Sequence, residues 1–378
     1  MGPLAGLTVI EMKGIGPGPY AGMLLADMGA RVIVVERASK PMGIAVPADK
    51  DVHSRGKASI ALDLKTPEGL QTLLRLVDGA DALIEGFRPG VAERLGFGPE
   101  VCHARNPRLV FGRLTGWGQS GPMAQAPGHD INYIGLTGAL AAVGPAHKPV
   151  VPLNLIGDYA GGSLFLVMGV LAALLEARQS GQGQVVDAAI TDGSANLMSG
   201  FYGWQAMGFW QANRECNMLD GAAHHYQVYE TKDQKFMAVG ALEPQFYAEF
   251  LARMGINDAR FAAQMSVEHW PALIELLSES FRQHTQAHWS GVFEGSEACV
   301  TPVLDINEAI AHPHNIARET YIDVAGVDQP APAPRFSRST QGLPRAPQRE
   351  GANTIEVLQQ AGLSDTEIEQ LRSVGALT

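Results

Sequence analysis

Cysteine is scarce in this chain: Cys102, Cys216 and Cys299 are the only three among 378 residues. Three thiols cannot make a disulfide framework and fit a reducing compartment, and each reads as a small buried hydrophobe. Basic charge is short too, with 28 Lys and Arg against 39 Asp and Glu and a net charge of −11. Such a field favours no polyanion, so nucleic acid is not expected as a general partner, and a phosphorylated small ligand needs a local basic pocket. The start lacks the basic stretch of a secretory signal, and Gly6 stands where myristoylation wants Ser or Thr. Ala376-Leu377-Thr378 is no peroxisomal address. A cytoplasmic location is the expectation. One uncharged run, residues 159–175, falls just short of a membrane span and is interrupted by Gly161, Gly162, Ser163 and Gly169. It reads as a helix buried in a large core, and no membrane partner is expected.

What is present describes a globular protein. Hydrophobic residues make up 46% and charged ones 18%, over a length that suggests two domains. Residues 7–11 read as a strand, 14–19 as a tight loop, 20–28 as a helix ended by Gly29, and 31–36 as a second strand. This β-loop-α-β unit implies parallel strands with a crossover helix. A helix over 67–76 and strands over 82–85 and 109–114 continue the pattern, so the first half is α/β. Residues 196–226, rich in Trp, Met and Gln without a clear period, read as a connecting segment. Strands and helices mix from Tyr226 to about Ile310, including a helix over 270–281. Residues 326–350 read as an extended loop. Two helices close the chain: 354–361, stopped by Gly362, and one from Asp365 with Ser364 as N-cap and Glu367 completing a capping box.

Chemistry concentrates in three segments. Gly128-His129-Asp130-Ile131-Asn132-Tyr133 sets a histidine beside a carboxylate behind Pro127, where a loop gives way to an ordered element. Asp158 and Glu243 sit in apolar, glycine-bearing stretches, where a charge is costly unless partnered or neutralised. Such positions are where proton-transfer groups tend to be found. Each also has a plainer reading: His129 as a satisfied core histidine, Asp130 and Asp158 as N-caps, and Glu243 as a first-turn carboxylate before Pro244. The first βα loop invites a nicotinamide reading, with Glu36 closing the next strand. Pro19, however, replaces the third glycine of that fingerprint, so the loop suits a phosphate or a thioester-linked chain better than NAD. Arg37, Arg55, Lys57 and Arg88 fall at strand ends or in loops, where α/β sheets bind ligands, although each alone reads as a solvated charge. His224-His225 resembles a metal pair, but adjacent histidines point apart and no spaced ligand set accompanies them, so no metal is expected.

Segments along nearly the whole chain resemble the family III CoA-transferase superfamily, and within it the α-methylacyl-CoA racemases. Glu85-Gly86-Phe87-Arg88-Pro89-Gly90 and Gly116-Trp117-Gly118-Gln119-Ser120-Gly121 carry the superfamily pattern. The segments around His129 and around Glu243-Pro244-Gln245-Phe246-Tyr247 carry the racemase pattern. One departure stands out: after Asp220-Gly221 the racemases continue with Gly-Ala-Pro and two aromatics. Here the run is Ala222-Ala223-His224-His225-Tyr226.

The resemblance implies an interlocked homodimer of α/β chains. A Rossmann-like large domain (1–190) would be followed by a linker (191–225), a smaller α+β domain (226–310), a second linker (311–335) and a C-terminal segment (336–378) returning to the large domain. The active site would lie between the large domain of one chain and the small domain of the other. It implies His129 as one base with Glu243 as its hydrogen-bonded partner, and Asp158 as the other base. The N–H of Asp130 would stabilise an oxyanion. CoA contacts are implied at Ile15, Arg37, Lys57, Arg88, Asp130 and Tyr133, with Tyr226 and His225 lining the acyl site. No separate cofactor is expected, since CoA is part of the acyl-CoA substrate. The implied reaction inverts Cα of a 2-methylacyl thioester through an enolate, which needs a base on each face. Cα–H is less acidic than either conjugate acid by on the order of ten pKa units, or ~14 kcal/mol, so the enolate oxygen must be stabilised. The alternative is a CoA-transferase with Asp158 as nucleophile. His129 argues against it, because that chemistry needs no opposed second base.

Overall fold

The computed structural model describes residues 1–37 and 46–377. The chain divides into two compact units: residues 1–137, 153–197 and 319–378 form the first, and 138–152 and 198–318 the second. Residues 138–152, expected within the large domain, thus group with the smaller unit. The C-terminal segment groups with the larger one.

The first unit is built on a six-stranded parallel sheet in the order β3-β2-β1-β4-β5-β6. Its strands are β1 (Thr8–Met12), β2 (Arg31–Glu36), β3 (Ala58–Ala61), β4 (Ala82–Glu85), β5 (Val110–Thr115) and β6 (Val185–Ala189). Val9 pairs with Val32 on one side and Ala82 on the other, so β1 is central and the order reverses between β1 and β4. The strands are nearly continuous apolar runs because helices cover both faces. Val9, Val32, Ile84 and Val110 look into one core with Leu166 and Val170. Ile10, Ile33, Leu83 and Phe111 look into the other with Leu73 and Val77.

The helix Pro17–Asp27 begins at Pro17, three residues earlier than its apolar pattern suggests, since proline suits a helix's first turn. Pro67–Val77 is capped by Thr66, whose hydroxyl accepts the Gly69 N–H at 3.0 Å. A continuous helical segment, Leu155–Ser180, opens with a π-helical stretch, Leu155–Leu164, and goes on as a regular helix, Phe165–Ser180. It is long and apolar enough to cross a membrane by length and composition. One face packs on β5 and β6, burying Leu166, Val170, Ala173 and Ala177. The other leaves Met168 59% and Leu175 62% exposed, so only half of this segment is the buried core helix expected.

The C-terminal segment returns to the sheet through specific bonds. Buried Arg55 pairs with Asp27 and donates to the Gln329 side chain at 2.8 Å and the Pro330 carbonyl at 2.7 Å. Thr354 accepts the Ala61 N–H at 3.1 Å. The helix Asp365–Ser373 carries the Ser364/Glu367 capping box.

In the second unit β7 (Tyr226–Glu230), β8 (Phe236–Gly240) and β9 (Val300–Val303) form an antiparallel sheet. The helices Pro244–Met254, Trp270–Phe281 and Gln286–Phe293 cover it around Phe250, Leu277, Phe281 and Trp289. Residues 196–226 contain a helix, Ser199–Ala206, where a plain connector was expected. Its sequence, with two glycines and three aromatics, has no apolar face at helical spacing, and none of its residues is buried. Cys102 is buried as expected, whereas Cys299 is exposed.

Candidate active site

A cleft of 600 Å³ opens where the strand order reverses. Loops just past the C-terminal ends of β1, β4 and β5 form its walls, the position at which open α/β sheets bind ligands. The β1 loop brings Lys13 to Gly18, the β4 loop Gly86 to Pro89, and β5 continues into Gly116 and Trp117. His129, Tyr133 and Asp158 complete the lining.

His129 is the N-cap of the short helix Asp130–Gly135, with extended backbone. Its N–H donates to the Asn132 side chain at 3.1 Å, which fixes the loop and leaves the exposed imidazole turned to the cleft. Tyr133 packs edge-on against Trp117, with ring centroids 4.8 Å apart, and its hydroxyl donates to the Gly128 carbonyl. A Cβ on Gly116 would lie 2.0 Å from the Tyr133 ring, so only glycine admits that ring here.

Asp158 lies in the π-helical stretch, a wide turn often found at functional sites. Asn154 donates to its Oδ2 at 3.3 Å, and a Cβ on Gly16 would come within 3.3 Å of the same oxygen. Ser163 ties the segment to the β1 loop, donating to the Pro17 carbonyl at 2.7 Å. Burial pushes the Asp158 carboxyl above the ordinary carboxylate range, and the nearby Asp130 charge adds to this. The Asn154 hydrogen bond and His129 work the other way. A raised pKa makes Asp158 a stronger base than a solvated aspartate. The cleft therefore presents two chemically different bases, an imidazole and a carboxylate.

The expected residues separate into groups. Ile15, Arg88, His129, Tyr133 and Asp158 come together at the cleft. Asp130 is buried beside it, and its N–H belongs to the first residue of a helix, where the backbone leaves donors unsatisfied. Arg37 is exposed just after β2 and is not among the lining residues. Glu243 and Tyr226 lie in the second unit, Glu243 exposed as N-cap of Pro244–Met254 and Tyr226 37% exposed at the start of β7.

Two expectations need correction. Lys57 is not a free cation at the cleft. It is buried, its ammonium 2.6 Å from Glu11 and 2.8 Å from the Pro19 carbonyl. A buried lysine needs such partners, and they occupy two of its three donors. His225 is not an exposed acyl-site residue either. It is fully buried in the second unit, edge-on to Tyr247 and Trp270. Burial also holds both histidines neutral, pulling His224 down to about 3 and His225 to about 4. Among the described residues no group of three or more His, Cys, Asp or Glu could hold a metal ion.

Lys13, Glu85 and Trp117 line the cleft without having been singled out from the sequence. Lys13 and Glu85 could have been found, because one directly follows β1 and the other ends β4, each a charge at the C-terminal end of a largely apolar strand. Nothing in the sequence marks Trp117 as a cleft wall.

CoA-transferase family III is matched by residues 4–353. The chain belongs to this family. Over 374 residues it is 43% identical to the alpha-methylacyl-CoA racemase of Mus musculus, covering 98% of this chain and 96% of that one. It is 42% identical to the alpha-methylacyl-CoA racemase of Homo sapiens, over 374 residues and the same shares of both chains. Among solved structures, a CaiB/BaiF family protein from Brucella suis superposes with a TM-score of 0.81 at 26% identity, covering 95% of this chain and 99% of that one. The family's architecture therefore extends over nearly the full length.

Proposed function

We propose that this chain interconverts the two epimers of a 2-methylacyl-CoA thioester by 1,1-proton transfer. The observation that carries the reading is the pairing of His129 and Asp158 at one cleft, in a chain so similar to two alpha-methylacyl-CoA racemases. One base removes the Cα proton and the other delivers a proton to the opposite face of the enolate. Two unlike bases suit a centre whose two faces differ.

The enolate oxygen is met by the N–H of Asp130, at the positive end of its helix. Arg88 serves the CoA phosphates from the β4 loop, and Ile15 and Tyr133 line the path of the thioester. Arg37 contributes at the outer end of β2. In an interlocked homodimer a second copy brings its Glu243 to His129, fixing the imidazole tautomer and raising its basicity. The same copy brings its Tyr226 towards the acyl chain. Each active site is then incomplete in a single chain.

The test is substitution of each base. In His129→Ala and in Asp158→Ala, racemisation of a 2-methylacyl-CoA should be lost while binding of the CoA ester, followed by calorimetry, survives. Full racemisation by either variant would refute the two-base assignment.

A further inference from the structure

We infer that the Asp130 carboxylate is a positioning residue that clamps the turn carrying Asp158 to the loop carrying His129. The inference rests on the racemase reading and extends it from the Asp130 backbone to its side chain.

The clamp is built from adjacent residues. Asp130 follows His129 directly, and the His129 backbone is itself fixed by Asn132. From that position Asp130 Oδ2 accepts the N–H of Asp158 at 2.7 Å. This donor belongs to the first turn of the long helical segment, where backbone N–H groups have no partners inside the helix. A carboxylate there satisfies an orphan donor and meets the positive end of the helix.

Gly157 shows how close the approach is. A Cβ at this position would stand 2.3 Å from Asp130 Oδ2, so any other residue would push the carboxylate out. Behind the clamp the helix is anchored by its buried face on β5 and β6, so its first turn is pinned from both sides. The Asp130 side chain is only 6% exposed, and its second oxygen, Oδ1, has no hydrogen-bond partner among the described residues. A buried carboxylate with one oxygen engaged on a backbone N–H has not been placed for solubility. Its engaged oxygen holds the backbone of one base, while its own backbone extends from the other.

The consequence is specific. Loss of the side chain should loosen the Asp158 turn and leave the His129 loop, which Asn132 holds independently. Proton transfer on the face served by Asp158 should therefore suffer more than transfer on the face served by His129. A merely structural role would lower both together.

The experiment compares Asp130→Ala and Asp130→Asn with the unaltered chain. Amide hydrogen exchange at residue 158 reads the clamp directly. Deuterium uptake at Cα, measured separately on each pure epimer of a 2-methylacyl-CoA, reads its effect on the two faces. In D130A the Asp158 amide should exchange about tenfold faster or more, as a donor that has lost its acceptor. Uptake on the Asp158 face should fall on the order of 100-fold in kcat, the cost of a misplaced group, with the His129 face changed by no more than about threefold and KM preserved. D130N keeps an acceptor oxygen and should restore both amide protection and most of the rate. Unchanged amide protection in D130A, or equal loss on both faces, would overturn the inference. If D130A does not fold, D130N decides alone: retained protection at the Asp158 amide supports the clamp, and lost protection overturns it. An unaltered chain that exchanges neither epimer would sink the racemase reading instead, and the amide measurement would still decide whether the clamp exists.

Discussion

Lys57 and Arg88 show how differently two basic residues of one sheet behave at the residue scale. Both were expected at a phosphate, and both follow or precede strands of the parallel sheet. Arg88 lines the cleft, while Lys57 lies under the helix Pro17–Asp27 with Glu11. Burial alone pulls the Lys57 ammonium below its usual range and pushes the Glu11 carboxyl above its own, and their mutual attraction works against both shifts. Removing one partner of such a pair strands a buried charge at a cost of about 3–5 kcal/mol. Lys57→Ala should therefore lower stability to chemical denaturation by roughly that amount while CoA affinity of the folded fraction changes little. A variant of full stability with weakened CoA binding would restore Lys57 to the ligand site. The sequence could not foresee the fate of Lys57, because the partner, Glu11, is 46 residues away and meets Lys57 only across the folded sheet. Asp130 illustrates the same limit. It reads equally as an N-cap or a catalytic neighbour, and it does cap a helix, but one that starts 25 residues later.

At the scale of elements, strands and helices with strong local signals emerge from sequence with little drift. β2 over 31–36, β4 over 82–85 and the helix over 270–281 have the expected limits, since apolar runs and terminal proline or glycine define them. The helix Ser199–Ala206 was not expected, nor were the π-helical winding of Leu155–Leu164 and its start ahead of the helical run at 159–175. The first has no apolar stripe, and the second depends on glycines that admit close neighbours such as Asp130 and Ser194. β4 ends in a buried carboxylate, Glu85, whose Oε2 accepts the Phe87 N–H at 2.6 Å and whose Oε1 is 3.5 Å from Arg113. Burial outweighs both and pushes Glu85 up to about 7. The folded state thus keeps a proton that the unfolded chain releases near 4.5. Glu85 should contribute stability that is fully present below pH 4.5 and lost as pH rises towards 7, by up to about 3 kcal/mol. Unfolding free energies of Glu85→Gln and the unaltered chain should diverge across this window, the unaltered chain losing ground as pH rises. A difference between them that is flat, or of opposite sign, would contradict that assignment.

At the scale of the whole molecule, the central parallel sheet follows the expected plan, and the chain divides into two compact units with residues 319–378 in the first. Chain-swapped assembly is a different matter, because nothing in the period of a single sequence encodes which copy supplies a segment. The proposed dimer agrees with the apolar side chains left uncovered in each unit, such as Met168 and Leu175 in the first and Tyr202 and Phe209 in the second. Single exposed apolar residues are ordinary, but a long helix with a bare apolar face commonly marks an interface. Sedimentation through successive dilutions should show a dimer that does not come apart reversibly. A folded, active monomer would refute both the interlocking and the delivery of Glu243 from a second copy.

The most direct test of the central claim is solvent exchange at Cα. The chain is given each pure epimer of a 2-methylacyl-CoA in deuterated buffer with no acceptor acid, and deuterium uptake and inversion are followed by mass spectrometry and chiral separation. The two-base account requires uptake from either epimer, convergence on one mixture of both, and no dependence on added carboxylic acid. Unlabelled, uninverted thioester, with CoA passing to an acid only when one is supplied, would contradict the account and assign Asp158 to nucleophilic transfer instead.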